Sequence, residues 1–569
     1  MADRGLGAAA VSEAVPILRS PPFPGGGAVS FTGPSQSARA DPDGEATTRL
    51  FAAIRAARVG GPFWAAPPRP LPQPAVLLRP RTLDEIPSLL ARLDATERAA
   101  SLWLLAAGTS DRAARRALGR GGGWHAGDVD PWPVLDGALR LLAHGDDEWA
   151  ALARIAGVPV TLLSAGRFGA PGTAPATLDL LAARAVIGAD YRDPFTGAPA
   201  AIESAIAQLA DWRRILDANR PLVAACGMSW WKRAEISRFL WSPHHPLRIT
   251  MFPARALALA RRKGGAVAVW PSRVSAATLR AAKARGVPLV RVEDGFVRSV
   301  GLGSNLVPPS SIVVDRLGIH YDPSRPSDLE RLLADAPFPP ELLARARTLR
   351  AAILRAGISK YGAGSDPAPA TRGHGRRLVL VPAQVEDDMS VRLGGGGLAS
   401  NLELLRRVRA LEPDAEIWFR PHPDVDAGHR KGAVRDADAL RLADRIVRGG
   451  GMAGLLDQVD AVHVLTSLTG FEALLRGRAV TCHGTPFYAG WGLTRDLGAV
   501  PDRRTRVLTL DELVAGVLIL YPRYLDPVTR LPCPPEVLVR RMAEDRAPNR
   551  LGWATRLRQW QGRLMAQRA

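Results

Sequence analysis

From Pro221 onward the sequence alternates short, wholly apolar runs with helix-patterned stretches, and this alternation limits the fold more than any other feature. Leu222–Cys226, Ile249–Phe252, Ala266–Trp270, Leu289–Val292 and Ser311–Val314 are apolar runs bounded by turn or breaker residues. Runs of this kind imply strands covered on both faces, hence a buried parallel sheet with helices in the crossovers. Helical patterns at Ala254–Arg262 and Val274–Arg285 fill two of those crossovers. A helical stretch over 337–357 leads into a Gly/Pro-rich hinge at 362–375, and a second series follows. Its strands are Leu378–Val381, Ile417–Arg420, Arg445–Val447, Ala461–Leu465, Ala479–Cys482 and Val507–Leu508. The reading is α/β, two Rossmann-like domains joined by a linker, with a ligand cleft at the carboxyl ends of the strands.

The 569 residues suffice for several such domains. No apolar run approaches the ~18 residues of a spanning helix, and Leu513–Leu520 is core-sized. The opening Met-Ala-Asp-Arg-Gly lacks the features of a signal peptide. Three scattered cysteines exclude a disulfide scaffold and any CxxC site, which fits a reducing, cytoplasmic setting. The net charge of +20 invites a nucleic-acid reading, but only five of the 75 basic residues are Lys, and the Arg residues are scattered. A positive surface equally suits anionic lipid or phosphorylated substrates, so nucleic acid is not expected as a partner.

One internal repeat stands out. Tyr191–Pro199 and Tyr524–Pro532 share the pattern Y-x-D-P-x-T-x-x-P, each followed by a helical stretch. Arg79-Pro80 echoes Arg420-Pro421, and Gly157 with Val160-Thr161 echoes Gly477 with Val480-Thr481. Between Ala75 and Ile187, strands are expected at Leu102–Ala107 and Val158–Leu163, and helices at Leu89–Ala100 and Val134–Ala143. The expected organisation is a loop-rich N-terminus at 1–24 and a degenerate Rossmann-like half-module at 25–215. Two lobes follow at 221–365 and 376–545, then a C-terminal helix at 546–569.

Three segments could carry chemistry. The first runs from Val292 to Ser304 behind an apolar strand, with Glu293, Asp294, Arg298, Ser299 and Gly301 on a glycine-rich loop. Asp294 suits a nucleophile or base, and Arg298 a bidentate carboxylate clamp. The plain alternative is a turn closed by an Asp–Arg ion pair. In the second, His422 lies between Pro421 and Pro423 at a strand end, a rigid imidazole suited to donate to phosphate. The alternative is a capped loop histidine. Asp424 and Asp426 read as helix caps rather than a metal site. In the third, Thr466, Ser467, Thr469 and Gly470 open a helix, whose amides and hydroxyls suit a phosphate, and Glu472 suits ribose hydroxyls. Simple N-capping is the alternative. The aromatics of Pro486–Leu493 are either pocket walls or loop packing.

Taken as an ordered set, these segments resemble the KpsC/LipB family of bacterial capsule β-Kdo (3-deoxy-D-manno-oct-2-ulosonic acid) transferases. The matching stretches are EDGFVRSVGLGS, YDPSRPSDLE, VPAQVEDD, RPHPDVDAG, TSLTGFEALLRG and PFYAGWGLT, with GMSWWKR at the start. The resemblance covers about 220–545. It implies a GT-B-like fold that transfers Kdo from CMP-Kdo, without a metal or other cofactor and with retention, onto a lipid-linked Kdo primer. The setting would be the cytoplasmic face of the inner membrane, beside capsule assembly and export proteins. Asp294 is expected as nucleophile or base, with Glu293 beside it. Arg298, Ser299, Gly301 and Gln384 are expected to bind the sugar. His422, Pro423, Thr466, Ser467, Thr469, Gly470 and Glu472 are expected to bind CMP. Gln384, Asp387 and Asp388 are expected to shape the cleft. Family members carry two such modules, whereas here Arg81 replaces the equivalent of His422 and Leu152 that of Glu472, so one active site is expected. The competing readings are a non-catalytic assembly or export subunit and a transferase using another CMP- or CDP-linked donor.

Overall fold

A computed structural model describes residues 15–25, 31–34, 41–68, 75–119, 122–298, 307–359, 375–426 and 430–544. The chain forms two compact units, one built from the residues up to Arg220 with Ser242–Pro246, the other from Pro221–Trp241 and the residues from Leu247 on. The expected hinge at 362–375 falls almost wholly outside the described residues, and the expected helix at 546–569 falls entirely outside them.

In the first unit β1 (Thr32–Pro34) pairs antiparallel with β7 (Ala189–Tyr191). A separate parallel sheet holds β2 (Ala75–Leu78), β3 (Ser101–Leu105), β4 (Gly123–Ala126), β5 (Ala138–Ala143) and β6 (Val160–Leu162), in the order β4-β3-β2-β5-β6. Leu78, Trp103, Leu105 and Leu142 pack into one buried core on this sheet. The expected helix at Val134–Ala143 is instead a short helix, Pro131–Leu135, followed by strand β5. The leucines there have helix propensity, but Leu141 and Leu142 are buried against β2, and sheet pairing overrides it. The expected helix at Leu89–Ala100 is broken in two, because Asp94 caps a new start at Ala95.

The second unit holds two sheets. The first contains β8 (Leu222–Cys226), β9 (Arg248–Thr250), β10 (Ala266–Val269), β11 (Leu289–Asp294) and β12 (Ser311–Asp315). The second contains β13 (Leu378–Pro382), β14 (Glu416–Arg420), β15 (Arg445–Ile446), β16 (Ala461–Val464), β17 (Ala479–Cys482) and β18 (Arg495–Asp496), all parallel, in the order β15-β14-β13-β16-β17-β18. The chain then returns to the first sheet as β19 (Pro522–Leu525) and β20 (Pro532–Cys533), giving the order β20-β19-β12-β11-β10-β8-β9. The second lobe therefore does not run through to 545 as expected. The reversal has a local cause: β12 turns antiparallel to β11, and its free edge takes β19 antiparallel. Val507–Leu508 is loop rather than strand.

Both copies of the repeat fold alike. Tyr191 Oη donates to the Val186 carbonyl at 2.6 Å, and Tyr524 Oη to that of Leu518 at 2.7 Å. Asp193 accepts the Phe195 and Thr196 amides, and Asp526 those of Val528 and Thr529. The five-stranded sheet of the first unit repeats the order of the first five strands of the six-stranded sheet, so β2, β3, β5 and β6 correspond to β13, β14, β16 and β17.

Candidate active site

Asp294 ends β11, where Gly295 allows β11 to pass close to β12. A Cβ at that glycine would lie 2.2 Å from Ser311 Oγ. The carboxylate is gripped from two sides: Lys232 Nζ reaches Oδ1 at 2.8 Å and Arg298 Nε reaches Oδ2 at 2.9 Å. Lys232 is itself buried, its ammonium 3.6 Å from the centre of the Trp270 ring and 4.9 Å from that of Trp231. Burial alone would raise the Asp294 pKa, but the Arg298 and Lys232 cations outweigh it and hold the carboxyl well below the usual carboxylate range. Burial pushes Lys232 down, against the pull of Asp294 and Glu293.

Across from it, the ends of β13, β14 and β16 converge. Gln384 follows β13, and its side-chain amide works in both directions. Nε2 donates to Thr466 Oγ1 at 3.1 Å and Oε1 accepts the Thr466 amide at 2.8 Å. His422 follows β14. The Asp424 amide donates to its Nδ1 at 3.2 Å, which places the proton of the neutral ring on Nε2. Beyond β16, Ser467 caps the helix Leu468–Leu475 and accepts the Thr469 amide. Thr469 and Glu472 are buried on that helix.

Asp294 and Glu293 line one cavity of about 690 Å³ together with Gln384, His422, Pro423, Thr466, Ser467, Thr469 and Glu472. Most of the residues expected at the site thus meet in a single space. Three depart from expectation. Arg298 is fully buried and does not line the cavity; its Nη2 donates to the Val307 carbonyl, and it serves Asp294 rather than a ligand. The ion pair weighed as the plain alternative is present, and it positions Asp294. Gly470 turns away from the cavity: its Cβ position is filled by Tyr488, whose hydroxyl donates to the Ser467 carbonyl. Asp387 pairs with Arg430, while Asp388 lines the cavity. Ser299 and Gly301 lie outside the described residues.

Of the aromatic run after β17, Tyr488 and Trp491 are core, and only Pro486 and Phe487 reach the cavity. Phe487 meets Phe296 at 4.6 Å between ring centres. Sequence reasoning passed over Lys232 and Tyr321. The signal for Lys232 was its rarity, one of five lysines, placed in Trp-Trp-Lys behind a strand. Tyr321 lines the cavity with a buried hydroxyl that has no hydrogen-bond partner among the described residues.

The first unit has the same framework and a different filling. Matching strand ends aligns Asp146 and Asp147 with Thr466 and Ser467, and Leu152 with Glu472. Arg79 and Arg81 follow β2, the counterpart of β13, so Arg81 does not occupy the place of His422 as expected. That place follows β3, where Ala106, Ala107 and Gly108 stand. Arg79 Nε pairs with Asp147 at 2.9 Å and Arg81 Nη2 with Asp146 at 2.7 Å. Where the second unit offers hydroxyls and amides to an anion, the first supplies its own carboxylates, already paired.

The family model described as "Capsule polysaccharide biosynthesis protein" matches residues 265–363 and 364–524. The lipopolysaccharide-processing protein LpsZ of Rhizobium meliloti is 40% identical over 311 residues, covering 54% of this chain and 70% of that protein. The capsule polysaccharide modification protein LipA of Neisseria meningitidis is 42% identical over 354 residues, covering 62% of this chain. The chain spans 50% of the length of LipA. The solved structure of the β-Kdo 2,4 transferase of Thermosulfurimonas dismutans KpsC is 33% identical with a TM-score of 0.50, covering 57% of this chain and 98% of that one. The fold is Rossmann-like and GT-B-like in its second unit, and the chain belongs to the capsule polysaccharide biosynthesis family, of the KpsC/LipB type.

Proposed function

We propose that this chain is a retaining β-Kdo transferase of capsular polysaccharide biosynthesis and export, taking Kdo from CMP-Kdo to a lipid-linked Kdo primer at the inner-membrane face. One observation carries the reading: Asp294, gripped by Lys232 and Arg298 at the end of one sheet, shares a cavity with His422, Glu472 and a hydroxyl-rich helix N-terminus from the other. The family membership and the likeness to KpsC support Kdo as the sugar.

In the proposed reaction an Asp294 oxygen attacks the anomeric carbon of Kdo. The bond from that carbon to the phosphate oxygen breaks, and CMP departs with the electron pair. Charge developing on the phosphate meets His422 Nε2–H and the amides at the start of the 468–475 helix, donors that need no metal. Glu472 accepts from the ribose hydroxyls. The acceptor hydroxyl then attacks the same carbon, its proton passes to Glu293, and Asp294 is released. Two inversions give retention. The low pKa of Asp294 favours nucleophile over base, because a carboxylate so stabilised is a poor proton acceptor.

The test is incubation of the purified protein with enzymatically generated CMP-Kdo and a synthetic Kdo-primed lipid, followed by mass spectrometry. A product heavier by one Kdo residue, with stoichiometric CMP, is expected. CMP-Kdo left intact beside turnover of another CMP- or CDP-linked sugar would overturn the donor, and no turnover of any of them would make the chain a non-catalytic assembly subunit.

A further inference from the structure

Between Leu247 and Val292 the chain carries ten Lys or Arg residues and no Asp or Glu. Half of the protein's net charge of +20 is therefore concentrated in this one stretch. It builds the helices Pro253–Lys263 and Ala276–Ala284, which pack side by side on one face of the first sheet of the second unit. Ala256, Leu257 and Ala260 of one and Ala282 of the other lie in a single core with Val223 and Val267. Their outer faces present Arg255, Arg261, Arg262, Lys263, Arg280 and Lys283, all exposed. None of the six is in an ion pair among the described residues. Around the second sheet, by contrast, several arginines are neutralised locally, as in Arg448 with Asp426 and Asp436 or Arg376 and Arg409 with Asp444.

At the start of the first of these helices the surface changes character. Met251 is 73% exposed and Phe252 57%, with the Arg255 guanidinium 4.7 Å from the Phe252 ring. They follow β9, and Cys226 of the neighbouring β8 pairs with Thr250, so the loop after β8 opens on the same edge. That loop carries Trp230, 58% exposed, next to Trp231 and Lys232 of the cavity wall. An apolar tip thus adjoins the cavity, and a cationic surface about 16 Å long runs away from it along the helix. A nucleic-acid duplex would call for the charge but not for a projecting Met and Phe. An anionic bilayer uses both, since unpaired cations gather at the headgroups while Trp, Phe and Met enter the interface.

We propose that the helices Pro253–Lys263 and Ala276–Ala284, with the tip of Trp230, Met251 and Phe252, form a surface that docks on an anionic phospholipid bilayer. This extends the reading above, in which the acceptor is a lipid, but binding can be measured with neither donor nor acceptor present. The experiment is co-sedimentation of the full chain with vesicles of phosphatidylcholine alone or with about one-third phosphatidylglycerol, at low and high salt. Binding to the anionic vesicles, at least tenfold weaker on neutral ones and weakened by salt, is expected. The triple variant R261E/R262E/R280E and the double variant M251S/F252S should each lose at least fivefold. The charge-preserving R261K/R262K should retain binding, and all three should keep wild-type turnover of a soluble, lipid-free Kdo acceptor. Equal binding to both vesicle types, binding unmoved by the substitutions, or tighter salt-sensitive binding to a single-stranded oligonucleotide than to the vesicles would each overturn the proposal. Lost vesicle binding with intact turnover marks this surface alone, whereas absent turnover with intact vesicle binding marks the enzymatic reading alone.

Discussion

The Lys232 ammonium and the Asp294 carboxylate meet at 2.8 Å in a box walled by Trp231 and Trp270. Arg298 holds the other carboxylate oxygen, so Asp294 is fixed in place and kept ionised. If Asp294 is the attacking group, Asp294→Asn preserves shape and removes the reaction. Turnover of CMP-Kdo should fall by about a thousandfold or more while CMP affinity stays within about twofold. Transfer at the wild-type rate by the purified variant would exclude the role.

Lys232 acts through Asp294, and its removal has a signature in pH. Asp294 is held low chiefly by Arg298 and Lys232 against the opposing effect of burial. Taking away one cation raises the folded-state pKa, so the acid limb of kcat/KM moves to higher pH in Lys232→Met. The sign for stability is the same. Asp294 is depressed in the folded state, so its contribution is present above the unfolded carboxylate pKa and fades as pH falls toward the folded value. Opening this largely buried pair should cost about 3 kcal/mol near neutral pH, less in acid. An unshifted acid limb would leave Lys232 a purely structural role.

His422 is aligned by the Asp424 amide at Nδ1, which directs the ring proton to Nε2. His422→Ala should weaken CMP binding by about ten- to a hundredfold, the worth of one hydrogen bond to a charged group. Isothermal calorimetry with CMP measures it, and unchanged affinity would remove His422 from the phosphate site.

The two frameworks differ at one helix start: Thr466-Ser467 in the second unit, Asp146-Asp147 in the first, the latter paired with Arg81 and Arg79. A carboxylate at a helix N-terminus occupies the place of an anionic ligand. Equilibrium dialysis should therefore find one CMP per chain. Installing the same filling in the second unit, as T466D/S467D, should abolish that binding while the protein remains folded by circular dichroism. Two equivalents of CMP bound to the wild type would contradict the assignment.

Much of this is legible in the amino-acid sequence. The strands from Leu222 to Cys482 announce themselves because buried parallel strands are uniformly apolar, and the residues at their carboxyl ends are therefore easy to find. Asp294, His422 and Glu472 were visible for that reason. Strand β5 was not, because Leu-Arg-Leu-Leu-Ala fits a helix as well as a strand, and tertiary pairing decides. The shared Arg-Pro dipeptide, at Arg79-Pro80 and Arg420-Pro421, puts Arg81 opposite His422, whereas strand order sets β2 against β13 and β3 against β14. The fate of β19 was equally hidden: nothing local in Pro522–Leu525 says that it pairs with β12, some two hundred residues earlier. The roles of Arg298 and Gly470 depend on which way a side chain or a Cβ points, and spacing does not encode that.

Gly470 gives the last prediction, since it separates a packing requirement from a ligand requirement. A Cβ at this position would stand 2.2 Å from Tyr488 Oη and 2.8 Å from its Cζ. The tyrosine is fully buried, and its hydroxyl donates to the Ser467 carbonyl at the start of the helix that lines the cavity. Gly470→Ala must push the ring or the helix aside, a collision in a closed core that costs about 1–3 kcal/mol. Tyr488→Phe removes the nearest contact and leaves the ring carbon, so the alanine should cost less in that background without becoming neutral. A double-mutant cycle by urea denaturation reads this as a coupling of at least about 0.5 kcal/mol. Strict additivity would mean that the glycine is not there for the tyrosine, and a loss of CMP affinity with no loss of stability would return Gly470 to the nucleotide site.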